Sequence, residues 1–156
     1  MKRKPTWVVG VATGGFIGKV PFAPGTFGSI LGLFFCYLIS FLHLLPAFFL
    51  IIAFICFSIW IAGKAETILQ STDPGCIVID EIAGMAVTFF AIPFNMTIGV
   101  IGFFVFRFFD ILKPFPIRFF EKRIHGGTGV VIDDVVAGIM SNIVLHVILM
   151  VMKLTQ

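Results

Sequence analysis

Apolar residues gather into runs at 30–45, 46–62, 82–106 and 135–152, with Gly, Pro and charged residues concentrated between them. Residues 7–29 are rich in Gly and contain Pro21 and Pro24, which predicts a short helix followed by a constrained loop. Ser29 or Thr26 is expected to cap the helix that follows. The next two runs hold about 16 or 17 residues each, near the lower limit for a membrane-crossing helix. Pro46 suits the first turn of the second, so the pair reads as a tight helical hairpin with His43 at its tip. Residues 63–79 form the most polar stretch, with Lys64, Glu66, Gln70 and Asp73.

The run at 82–106 breaks at Pro93-Phe94-Asn95. As a helix, 82–92 is only about 16 Å long, too short for a hydrocarbon core of about 30 Å. Two readings stand: a re-entrant hairpin, or one long helix kinked at Pro93. The last run carries Gly138, Ser141, Asn142 and His146 on an otherwise aliphatic helix, where His146 is read as a packing or interhelical hydrogen-bonding residue. The overall expectation is one all-α domain over 1–156, a polytopic membrane helical bundle.

Composition strengthens that expectation. Of 156 residues, 59% are hydrophobic and 12% charged, and 21 are Phe. A soluble domain of this size could not bury so much apolar surface in one core. The net charge of +3 comes with no basic patch of the kind that binds nucleic acid; the fitting partner is an anionic lipid headgroup or membrane surface. Cys36, Cys56 and Cys76 form no CxxC pattern and read as packing residues. The basic start (Lys2, Arg3, Lys4) and the basic segment 107–128 are expected on the cytoplasmic side.

Only eight acidic residues occur, and Asp80, Glu81, Asp110, Asp133 and Asp134 all border apolar helices. Charges at such places cost several kcal/mol unless paired or solvated, so they are candidates for function. Asp133 and Asp134 also fit a helix N-terminus. Carboxylates without matching His or Cys favour a hard cation, with Mg²⁺ the usual choice beside a phosphate. Acids alone would repel phosphate; a cation reverses that sign. The shared site requires the re-entrant reading of 82–106, because a kinked span would put Asp80 and Asp110 on opposite faces.

Arg107, Asp110 and Lys113 are spaced by three, which places Arg107 and Asp110 on one helix face. Pro114 disfavours helix at Lys113. Arg107 suits a bidentate grip on phosphate, and Lys113 acts as a point charge. Arg118, Lys122 and Arg123 read chiefly as snorkelling side chains, with Arg118 kept as a further phosphate contact. The stretch Pro24-Gly25-Thr26-Phe27-Gly28-Ser29 leads into a helix and offers N–H groups and the Thr26 and Ser29 hydroxyls to an anion. The loop His125-Gly126-Gly127-Thr128-Gly129 precedes the acidic pair, and His125 is either a phosphate contact or a solvent-facing residue. A cysteine-phosphatase motif is excluded, since Ile82 stands where Cys76 would require Arg. The short Asp-x-Asp nucleophile motif is also absent.

Four motifs in this order and spacing resemble phosphatidylglycerophosphatase A: Pro24 to Ser29, Asp80-Glu81-Ile-Ala-Gly84-Met85, Arg107 to Pro116, and His125-Gly126-Gly127-x-Gly129 with Asp133-Asp134-x-x-Ala137-Gly138. The resemblance covers about residues 7–150. It implies a bacterial inner-membrane enzyme, multi-pass, with its site towards the cytoplasm. It implies hydrolysis of phosphatidylglycerophosphate to phosphatidylglycerol and phosphate with Mg²⁺, and an all-α fold around a central helix. On that footing Asp80, Glu81, Asp110, Asp133 and Asp134 are the metal ligands. Arg107 and Lys113 neutralise the transferred phosphoryl group. Lys64, Thr26 and Ser29 assist in holding phosphate, and Glu81 or Asp134 activates water. Two other classes stay open at the sequence: an ion-coupled transporter or channel using the intramembrane acids, and a non-catalytic subunit that binds anionic lipid.

Overall fold

A computed structural model describes residues 6–154; Lys2, Arg3 and Lys4 lie outside the described residues. Among the described residues, seven α-helices follow one another and no strand occurs: α1 (Thr6–Ala12), α2 (Pro24–Ile39), α3 (Leu44–Leu69), α4 (Ile79–Thr88), α5 (Met96–Leu112), α6 (Ile117–Arg123) and α7 (Gly126–Leu154). A single 3-10 turn, Ile17–Lys19, links α1 to α2.

The helix starts differ from the sequence expectation at two places. First, α2 begins at Pro24, so the stretch 24–29 is its first turns and neither Thr26 nor Ser29 caps it. Proline's fixed φ suits N1, and Ala23 takes the left-handed turn before it at φ 47°. Second, α7 begins at Gly126 rather than at 135, so the glycine-rich stretch is helical and Asp133 and Asp134 sit well inside the helix. They are therefore not N-capping residues. The hairpin of α2 and α3 forms as expected, with His43 as the N-cap position of α3 and Pro46 in its first turn, but α3 runs on through the polar stretch to Leu69.

α4 and α5 are two helices, not one kinked span. Asn95 caps α5, its Oδ1 accepting from the Ile98 N–H at 2.9 Å, and Phe89 packs on Phe94 across the turn, ring centroids 5.3 Å apart. The chain reverses here, because Glu81 near the start of α4 and Arg107 near the end of α5 both lie against Gly25. A straight or mildly bent helix could not bring those residues together. The far end of α4 is closed by Asn142 of α7, whose amide donates to the carbonyls of Thr88 (2.9 Å) and Phe90 (2.8 Å). That answers carbonyls that the end of a helix leaves without intrahelical partners. His146 bonds within its own helix, Nδ1 to the Asn142 carbonyl at 3.0 Å, rather than between helices.

α4 is the central helix. Each of the three hydrophobic clusters contains part of it: Ile79 and Ala83 with α1, α3 and α7; Met85 with α5 and α7; Ala86 with α2 and α3. Cys36 packs here too, its Sγ donating to the Met85 carbonyl at 3.2 Å. α3 (26 residues) and α7 (29 residues) are long and apolar enough to cross a membrane. Large apolar side chains such as Phe34, Phe49, Phe104 and Ile143 face outward from the bundle.

α3 and α7 cross at Gly127, where an added Cβ would collide with the Ile59 carbonyl and the Gly63 backbone. Gly127→Leu is expected to cost about 1–3 kcal/mol through overpacking. A thermal unfolding midpoint in detergent no lower than that of the parent protein would contradict this account of the crossing.

Candidate active site

One end of the bundle gathers the start of α4, the end of α5 and the early part of α7. Asp80 and Glu81 stand in the first turn of α4. Asp134 reaches them from α7, and one carboxylate oxygen from each of the three lies within 4.8 Å of the others. Asp80 and Asp134 are buried. Asp80 Oδ1 and Glu81 Oε2 are buried with no hydrogen-bond partner. Unpaired buried carboxylate oxygens are costly, and three so close together repel one another strongly.

The approach of α4 to α7 is what permits this cluster. An added Cβ on Gly84 would strike the Asp134 carbonyl and the Phe106 ring, and one on Gly138 would strike the Gly84 carbonyl. Gly25 meets the same demand from α2: a Cβ there would fall on the Glu81 carboxylate and near the Arg107 guanidinium. The functional expectation placed Gly25 in an anion-holding loop. In the helix, the Thr26 and Phe27 N–H groups already donate to the Ala23 carbonyl.

The other two acids are each held by a cation. Arg107 pairs with Asp110 one helical turn away and donates to Ser29 Oγ at 3.4 Å. Ser29 Oγ in turn donates to the Gly25 carbonyl at 2.9 Å. Lys113 Nζ donates to Asp133 at 2.6 Å and to Glu121 at 2.7 Å. Asp134 lies within electrostatic reach of Asp110, Asp80, Glu81 and Asp133, so the five acids share one region. Lys113 sits just past α5 in a left-handed conformation, φ 43°, which swings its side chain towards α7. Burial opposes its charge, but the hydrogen bonds to Asp133 and Glu121 outweigh that and hold its pKa above the ordinary lysine value.

Two expected phosphate contacts stand apart. Lys64 is exposed on α3 and Arg118 is exposed on α6, and neither makes an ion pair among the described residues. Thr26 is half-buried in the first turn of α2, beside Gly25. Glu121 was not singled out by sequence reasoning. It lies eight residues from Lys113 and reaches it only because α6 folds back, so no helical spacing could flag it.

Lys113→Met leaves Asp133 buried without its cation. The expected destabilisation is about 2 kcal/mol, less than the loss for a fully enclosed pair because Lys113 keeps some solvent access. Adding Asp133→Asn recovers part of the loss. Purely additive effects in the double-mutant cycle would show that the pair carries no coupling.

The family model described as Phosphatidylglycerophosphatase A matches residues 10–149. A protein of Escherichia coli (strain K12) named Phosphatidylglycerophosphatase A is 38% identical over 149 residues, spanning 95% of this chain and 86% of the relative. A Haemophilus influenzae protein of the same name is 39% identical over 142 residues, spanning 88% of this chain and 86% of the relative. A Bacteroides thetaiotaomicron protein whose name proposes a phosphatidylinositol-3-phosphatase is 37% identical, spanning 94% of this chain and 96% of the relative. No solved structure gives a significant match. With one family spanning residues 10–149 and relatives of that name covering most of the chain, this protein belongs to the phosphatidylglycerophosphatase A family.

Proposed function

We propose that this protein is a Mg²⁺-dependent phosphatase that hydrolyses phosphatidylglycerophosphate to phosphatidylglycerol and inorganic phosphate, as a multi-pass protein of the bacterial inner membrane with its site towards the cytoplasm. The observation that carries the reading is the Asp80–Glu81–Asp134 cluster: three converging carboxylates, two of their oxygens unpaired and buried, in a chain of this family. The donor set suits a hard cation, because it is all oxygen and the cluster includes neither His nor Cys. Asp80, Glu81 and Asp134 would hold the ion, with Asp110 and Asp133 completing the acidic set. A divalent cation there offsets the charge of the phosphate and makes a water easier to deprotonate.

The chain's own residues supply the rest. Arg107, already one turn from Asp110 and bonded to Ser29, turns guanidinium N–H groups to the phosphate oxygens. Lys113 adds a positive charge beside Asp133, and stabilises charge that builds on the phosphoryl group. Thr26 offers a hydroxyl from the first turn of α2. Ser29, buried with its hydroxyl hydrogen on the Gly25 carbonyl, acts by positioning Arg107, and Lys64 and Arg118 act at longer range on the anionic headgroup. Glu81 Oε2 or an Asp134 oxygen takes the proton of the attacking water. The P–O bond to the glycerol breaks, and the departing oxygen is protonated to the alcohol of phosphatidylglycerol. The acyl chains need not leave the bilayer, which suits the outward-facing apolar side chains of α2, α3, α5 and α7. An ion pathway is less well supported, because the acids gather at one end of the bundle with Arg107 and Lys113 rather than along it.

Purified protein in mixed micelles should release phosphate from phosphatidylglycerophosphate with Mg²⁺ and not with EDTA. Asp80→Asn and Asp134→Asn should each lower kcat by about 100-fold or more while the thermal midpoint without metal stays level or rises. Failure of the folded parent protein to release phosphate under these conditions would sink the proposal. Phosphatidylinositol 3-phosphate belongs in the same assay, since the name of the Bacteroides relative favours it as a second substrate. Preferential turnover of that lipid would reassign the substrate and keep the chemistry.

A further inference from the structure

Among the most exposed large apolar side chains are two phenylalanines in the connections next to α2 and α5. Phe22 and Phe115 are each 80% exposed. Each is bracketed by proline, in Pro21-Phe22-Ala23-Pro24 and in Pro114-Phe115-Pro116. Proline fixes φ and removes an N–H, so these short connections have little freedom to fold their rings back onto the protein. Phe22 lies three residues before Gly25, where an added Cβ would run into the Glu81 carboxylate and approach the Arg107 guanidinium. Phe115 lies two residues after Lys113, which holds Asp133. The apolar points are therefore rooted in the same segments that build the site.

Their surroundings identify what covers them. Lys19 stands over the Phe16 ring at 4.9 Å, and Arg123 over the Phe119 ring at 4.4 Å. Aromatic rings with a cation above them match a boundary where acyl chains give way to anionic headgroups. On the helices that run from this end, Phe27 and Ile30 of α2 and Phe108 and Ile111 of α5 are also exposed, so the apolar surface continues into the outward face of the bundle.

We propose that Phe22 and Phe115 are fixed lips that insert into the anionic lipid leaflet and mark a lateral path for the substrate headgroup to the acid cluster. Lys19 and Arg123 hold neighbouring headgroups at the level of the phosphate. This rests on the phosphatase reading for the identity of the substrate, but insertion itself does not.

The test uses the full chain in vesicles of phosphatidylglycerol and phosphatidylcholine, with Trp7→Phe and Trp60→Phe as background and either Phe22→Trp or Phe115→Trp as probe. Bromine atoms placed high on the acyl chains should quench each probe more strongly than bromine near the chain ends, with blue-shifted emission. Red-shifted, unquenched emission from both probes would overturn the proposal, whatever the protein hydrolyses. In turnover, Phe22→Ser/Phe115→Ser should raise the apparent KM for vesicle-borne substrate about tenfold, with the loss carried in KM rather than in kcat. An unchanged KM would equally remove the lips from the substrate path. Quenching without phosphate release from the parent protein would leave the inserted lips standing and reject the phosphatase reading instead.

Discussion

The backbones of α4 and α7 meet where neither helix carries a side chain: Gly84 lies against the Asp134 carbonyl, and Gly138 against the Gly84 carbonyl. This approach sets the position of everything else at the site. It puts Asp80 and Glu81 of one helix beside Asp134 of the other. It also lets Phe106 of α5 close over the junction, fully buried. A methyl group at either glycine would push the helices apart, and the three carboxylates would lose their common focus.

The bundle is organised to support that contact. α4 is only ten residues long, so both of its ends lie among other helices. One end bears the acids. The other is answered by the Asn142 amide, which takes two carbonyls at once. Hydroxyls on the helices bond back to their own backbone, as Thr88 does to Gly84 and Ser141 to Ala137. The conspicuous exceptions are Asp80 Oδ1 and Glu81 Oε2. Among the described residues the other buried side-chain polar atoms have hydrogen-bond partners, so two open carboxylate oxygens stand out as places for a ligand.

Charge is arranged in two shells of different character. Asp110 and Asp133 are each neutralised by a cation from the α5–α6 region, Arg107 and Lys113. Among the described residues, Asp80, Glu81 and Asp134 make no ion pair. The same basic side chains thus screen the outer acids, and in the proposed reaction they would also meet the anionic headgroup. Ser29 and Gly25 tie α2 into this arrangement through Arg107 of α5.

Much of this was legible in the residues. Apolar runs of membrane length, the break at Pro93-Phe94-Asn95, and the scarcity of acids outside helix borders are local properties of composition and spacing. So is the Arg107–Asp110 pair, because helical periodicity alone joins residues three apart. Helix starts were not legible at Pro24 and Gly126. Glycine-rich stretches read as loops, yet here they are helical because packing against Glu81, Arg107 and Gly63 rewards the missing side chain more than propensity penalises it. Local pattern could not choose between a kinked span and a hairpin at 82–106, nor bring Glu121 to Lys113 through α6. Sequence determined which residues carry charge and which stretches are long and apolar enough to suit a membrane; the tertiary structure decided which acids converge and which are paired, because distances between helices arise only when their surfaces pack.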